Sequence, residues 1–214
     1  MTASTPRPSA AEPAPTPVPV TIWNVANALT GLRLVLVPVF GVLLLHDDGT
    51  QAGWRVAAFV AFFVASITDR FDGELARKRG LVTDLGKIAD PIADKALTGM
   101  ALIGLSLLGE LQWWVTIVVL VREVGITVLR LVVIRHGVMP ASRGGKIKTF
   151  VQALAIGLYV LPRDVIPLEV AQVVMAVAVV ITVVTGLDYV ARAVRLRRTS
   201  PRAAAKRARR QAGG

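Results

Sequence analysis

The chain has 214 residues, with 25 Lys and Arg against 14 Asp and Glu, a formal net charge of +11 and a mean hydropathy of +0.60. It is 54% hydrophobic and only 18% charged, whereas soluble domains average about 25% charged residues, so the composition excludes an ordinary soluble protein and points to the membrane. It has no cysteine and two histidines, His46 and His136, which excludes a disulfide scaffold, a thiol nucleophile, a thiolate zinc site and a multi-histidine centre; a metal must be held by oxygen, which suits magnesium, manganese or calcium.

Residues 1–20 are dominated by Pro, Ala, Thr and Ser and hold no apolar run long enough for a signal-peptide core, so they read as a disordered cytoplasmic tail. Six apolar segments follow, at about 24–45, 53–79, 85–108, 112–135, 147–162 and 166–191. Most match the roughly 20 helical residues that cross a hydrocarbon core. The fifth is short and needs neighbouring helices or local thinning. The breaks between them carry turn signals: 46–53, 80–83, 109–112, 136–145 and 161–167. The predicted fold is all-α, a polytopic membrane protein with six transmembrane helices. A disordered tail (1–22) precedes the membrane domain (23–191), and a basic C-terminal tail (192–214) follows it.

Asn27 and Thr30, at the start of the first segment, suit helix N-capping at the membrane entrance. Of the connections, the first and third carry no Lys or Arg and the fifth only Arg163. The second and its flanks carry Arg70, Arg77, Lys78, Arg79, Lys87 and Lys95, and the fourth carries Arg135, Arg143, Lys146 and Lys148. Nine more Lys and Arg, and no acid, lie between Arg192 and Gly214, as a basic helix extension or a solvated tail near anionic headgroups. The positive-inside rule then predicts both termini and the even-numbered connections in the cytoplasm.

The second and third segments hold the informative acids. Asp69 and Asp72 are three residues apart, and Asp90 and Asp94 are four apart; on a helix each pair shares a face. A short connection makes the two helices antiparallel neighbours, so four carboxylates converge near the membrane surface. Together they repel, and two divalent ions resolve that repulsion. Surface ion pairing with Arg70, Arg77, Lys87 and Lys95 is the alternative for one acid, and a poor account of four at a depth where charge is costly. The fourth segment carries Arg122, Glu123 and Arg130; the two arginines are eight apart and lie approximately on one face. Glu123 serves as a site residue or simply neutralises an arginine. The run from Pro140 to Thr149 combines glycines with Ser142, Arg143, Lys146 and Lys148, a composition that can cradle a phosphate. Lys148 taken alone reads as an ordinary topology signal.

The pattern Asp69-x2-Asp72-Gly73-x2-Ala76-Arg77-x8-Gly86-x3-Asp90-x3-Asp94 resembles the signature of the CDP-alcohol phosphotransferases at all eight specified positions. The stretch Asn24 to Arg33 resembles the same family's Pro-Asn-x-Leu-Thr-x-x-Arg element, with Ala26 in place of the proline. This resemblance implies a six-helix membrane enzyme with two magnesium (or manganese) ions on Asp69, Asp72, Asp90 and Asp94. It implies CDP-lipid contacts from Asn27, Thr30, Gly73, Arg77 and Thr83, and Asp94 as general base. Its expected location is the cell inner (cytoplasmic) membrane, with the site facing the cytoplasm. It further implies a homodimer and calls for no nucleic acid.

The run Val121-Arg122-Glu123 … Arg130 … Val138 to Thr149 … Gln152 resembles the branch whose acceptor is sn-glycerol 3-phosphate. Arg122, Arg130, Ser142, Arg143, Lys146 and Lys148 are then expected to hold the acceptor phosphate, with CDP-diacylglycerol as donor and CMP as the second product. Other readings keep the chemistry with another alcohol, inositol phosphate or phosphatidylglycerol, or replace it with a cation carrier or a membrane scaffold.

Overall fold

A computed structural model describes residues 25–79, 84–133 and 143–199, with side chains described for 27–68, 89, 91–132 and 144–196. The described residues form six α-helices and no strand: α1 (Val25–Leu45), α2 (Ala52–Arg79), α3 (Asp84–Leu107), α4 (Trp113–Val133), α5 (Arg143–Val160) and α6 (Leu168–Thr199). A 3₁₀ turn, His46–Gly49, joins α1 to α2. Each helix overlies one of the apolar segments. Two boundaries differ from the expectation. The start of α5 is one turn earlier, so Arg143 to Lys146 form its first turn rather than a loop. The end of α6 runs to Thr199, so the start of the basic C-terminal stretch is helical. Asn27 and Thr30 lie inside α1 and so do not cap it.

The core is built on the interlocking of α1 with α2 and α3, and of α6 with α4 and α5. Phe40 and Leu44 of α1 share one buried cluster with Leu102 and Leu105 of α3, while Ala58, Ala65, Ala101 and Ala155 are fully buried within it. Small residues are what close helix packing needs in an apolar medium. The exterior is apolar as well: Val42 is 69% exposed, Val121 67%, Leu187 66% and Leu131 65%. An exposed apolar surface of this extent is foreign to soluble monomers. The spans Asn27–Gly49 and Leu168–Leu196, with mean hydropathies of 2.2 and 2.4, are long and apolar enough to cross a membrane. Ala52–Thr68 is a shorter apolar stretch.

One end of the bundle is tied by a buried arginine that lies within α2 rather than in a connection. Arg55, only 3% exposed, uses all five of its N–H groups. Nε donates to the Val160 carbonyl (3.1 Å), Nη1 to the Gly49 carbonyl (3.2 Å) and Glu110 Oε1 (2.5 Å), and Nη2 to Glu110 Oε2 (2.9 Å) and the Tyr159 carbonyl (2.5 Å). The Val160 and Tyr159 carbonyls belong to the last turn of α5, where no intrahelical donor is available, so Arg55 caps that helix. Arg163 donates to the same Glu110 (2.5 Å). The three connections at this end are thus gathered on one carboxylate. Gly49 has φ +67°, and a Cβ there would lie 2.8 Å from Leu108 Cδ1 and 3.3 Å from Arg55 Nη1; only glycine fits both the left-handed backbone and the guanidinium.

Candidate functional site

Asp69 and Asp72 lie in the second half of α2, and Asp90 and Asp94 in the first half of α3. Spacings of three and four put each pair on one helix face. Pro91 follows Asp90 within α3 and has no N–H for the helical hydrogen bond, which loosens the backbone beside that acid. The side chains of Asp69, Asp72, Arg77, Asp90 and Arg143 and the surroundings of Gly73 fall outside the described set, as do Thr83 and Ser142 entirely. Among the described residues no three acids or histidines gather as a metal site; of the four acids, only Asp94 has a described side chain.

Asp94 is half-buried and lines a cavity of about 400 Å³. The wall of α2 is mainly apolar, through Phe59, Phe62, Phe63 and Ile67, with Ser66 its one polar residue; α5 contributes Lys148, Gln152 and Ile156, and α4 contributes Leu120 and Glu123. Arg33 of α1 is fully buried and also lines this cavity. It was part of the upstream motif with no role of its own. Its signal is a charge within an otherwise apolar helix, which marks functional sites in membrane proteins.

The acceptor candidates separate in the structure. Lys148 was expected as an acceptor contact in a basic run. It lies within α5, is 5% exposed, lines the cavity, and donates to Glu123 Oε1. The same oxygen accepts from Arg122 Nη1 at 3.2 Å. Glu123 therefore neutralises its neighbours across α4 and α5, because a buried ammonium without a partner would be costly. Arg122 is turned away from the cavity: Nε donates to the Thr182 carbonyl (3.2 Å) and Nη2 to Thr185 Oγ1 (2.9 Å), both on α6. Gly186 admits its stem, since a Cβ there would lie 3.2 Å from Arg122 Cγ. Arg130 and Lys146 are exposed, on α4 and in the first turn of α5. Arg143 opens α5, whose first N–H groups have no intrahelical acceptor and suit an anion. Asn27 is half-buried and Thr30 is 3% exposed in α1.

Comparison with known proteins agrees with this geometry. The family model of CDP-alcohol phosphatidyltransferases matches residues 23–184. A Mycobacterium tuberculosis protein named probable phosphatidylglycerophosphate synthase is 62% identical over 175 residues, covering 81% of this chain and 83% of the relative. The CDP-diacylglycerol–glycerol-3-phosphate 3-phosphatidyltransferase of Bacillus subtilis is 37% identical over 181 residues, covering 78% and 94%. The Escherichia coli protein of the same name is 35% identical over 180 residues, covering 80% and 95%. The matched region takes in α1 to α5 and over half of α6, with both acidic pairs and the cavity that Asp94 lines, and the chain belongs to the CDP-alcohol phosphatidyltransferase family.

Proposed function

We propose that the chain transfers a phosphatidyl group from CDP-diacylglycerol to sn-glycerol 3-phosphate, giving phosphatidylglycerophosphate and CMP. The observation that carries this reading is the two carboxylate pairs on α2 and α3, with Asp94 facing a cavity that also holds Arg33, Lys95 and Lys148. The relatives named for this acceptor support it over other alcohols.

Asp69, Asp72, Asp90 and Asp94 would hold two magnesium ions, with manganese as the substitute; an all-carboxylate donor set from two helices fits hard divalent cations. Metal bound there supplies charge neutralisation for the donor pyrophosphate and the CMP leaving group. Asp94 takes the proton of the acceptor hydroxyl. The hydroxyl oxygen then bonds to the β-phosphorus, and the bond from that phosphorus to the CMP oxygen breaks. Asn27, Thr30, Gly73, Arg77 and Thr83 bind the CDP group; guanidinium suits the phosphates. Arg143, Lys146 and Ser142 bind the acceptor phosphate at the start of α5. Arg130 supports them, while Lys148 and Arg122 act through Glu123. Replacing Arg143 or Lys146 with Gln removes one charge-assisted contact and is expected to raise the acceptor KM about ten- to hundred-fold, with little change for CDP-diacylglycerol. A rise confined to the lipid KM would overturn the acceptor assignment.

The six helices span the cytoplasmic membrane with both termini and the site inside, the tails (1–22 and 192–214) flank a membrane domain (23–191), and the enzyme works as a homodimer. The distribution of cations supports this orientation. Arg55 and Arg163, at the opposite end, are neutralised in part by Glu110. Single cysteines replacing the exposed Asp48 and Asp164 are expected to react with an impermeant reagent on intact cells. Labelling only after lysis would refute the orientation.

A further inference from the structure

We infer that the Gln152 carboxamide recognises the middle hydroxyl of the acceptor, which makes Gln152 the residue that selects a vicinal-diol phosphate over a simple alcohol phosphate. This inference rests on the glycerol 3-phosphate reading above. Gln152 is 4% exposed, lines the same cavity as Asp94 and Lys148, and its Oε1 has no hydrogen-bond partner among the described residues. Buried amide oxygens are nearly always paired, because leaving one unpaired forfeits its hydration. The cavity it lines is also walled by Phe62, Leu97, Leu120 and Ile156, and a leucine or methionine in its place would pack without that cost.

The place of Gln152 in the cavity says what could satisfy it. It follows Lys148 by four residues, on the same face of α5 and about one turn deeper. Asp94 faces the same space from α3. Glycerol 3-phosphate carries two free hydroxyls. With the terminal one at Asp94 as nucleophile and the phosphate toward the cationic start of α5, the middle hydroxyl needs its own partner inside a largely apolar cavity. A carboxamide can accept from that hydroxyl through Oε1 or donate to it through Nε2. A site built to pair a hydroxyl discriminates strongly against an analogue that lacks it, since the polar group of the site is then left unpaired.

The test compares sn-glycerol 3-phosphate with 3-hydroxypropyl phosphate, which keeps the terminal hydroxyl and the phosphate and lacks the middle hydroxyl. Full-length wild type, Gln152→Met and Gln152→Leu are assayed for kcat/KM with both acceptors at fixed CDP-diacylglycerol and magnesium. The wild type is expected to favour glycerol 3-phosphate by about tenfold or more. Both variants are expected to lose about tenfold of that preference, with the deoxy acceptor turned over at close to the wild-type rate. The ratio is taken within each protein, so it is independent of the folded fraction. An unchanged ratio, an equal loss with both acceptors, or an effect confined to the KM of the lipid would overturn the inference and make Gln152 a packing or lipid contact. A wild-type chain that transfers to neither acceptor would instead defeat the glycerol 3-phosphate reading, and the role of Gln152 with it.

Discussion

Asparagine in place of Asp69, Asp72, Asp90 or Asp94 is expected to lower turnover by at least about a thousandfold, equivalent to roughly 4 kcal/mol of transition-state stabilisation. The substitution keeps shape and removes one unit of charge from a site that works through charge. For Asp94 a second loss adds to the first, because a positioned general base contributes about a hundred- to ten-thousand-fold by itself. The same variants are expected to keep, or slightly raise, their melting temperature in the presence of a chelator, because each relieves repulsion between neighbouring carboxylates. CMP release and thermal unfolding on the same preparations check this. A variant that retained a tenth of wild-type turnover would remove its residue from the site.

The largest stability effect is expected at the opposite end of the bundle. Glu110→Ala strips the carboxylate from Arg55, which is 3% exposed and has no other anion bonded to it among the described residues. Removing one partner of a buried pair leaves an uncompensated charge, at a cost of about 3–5 kcal/mol. The lower part of that range is expected here because the Glu110 side chain is 20% exposed. The loss also frees Arg163 and loosens the connections between α1 and α2, α3 and α4, and α5 and α6. The double variant Arg55→Met with Glu110→Met is expected to recover part of the loss, since it removes the buried guanidinium together with its partner and leaves only the partly exposed Arg163 without Glu110, while the Val160 and Tyr159 carbonyls stay uncapped. Denaturant unfolding in detergent measures both. A Glu110→Ala protein as stable as the wild type would show that the cluster carries no stability.

What was legible in the chain was what depends on local spacing. The six helices follow from apolar runs, and the acidic pairs from separations of three and four on helices that those runs define. Gly144 and Gly145 misplace the start of α5, because glycines read as breakers, whereas a helix tolerates one at about 1 kcal/mol when its ends are held. The pairings that decide charge were not legible. Glu123 meets Lys148 across 25 positions and Arg55 meets Glu110 across 55, and no spacing rule says which helices are neighbours. Lys148 therefore reads as a surface cation although it is a buried partner of Glu123. Arg55 was left out of the charge asymmetry although it is the most heavily bonded cation among the described residues. Gln152 carried no signal beyond its place in a motif until the cavity gave its amide a setting.

The central claim is most directly tested by incubating the purified protein with CDP-diacylglycerol, magnesium and sn-glycerol 3-phosphate, and measuring CMP and the lipid product together. The expected result is one phosphatidylglycerophosphate per CMP, with release of CMP dependent on the acceptor, abolished by EDTA and restored by excess magnesium. CMP release at the same rate without glycerol 3-phosphate, or full activity in EDTA, would contradict it.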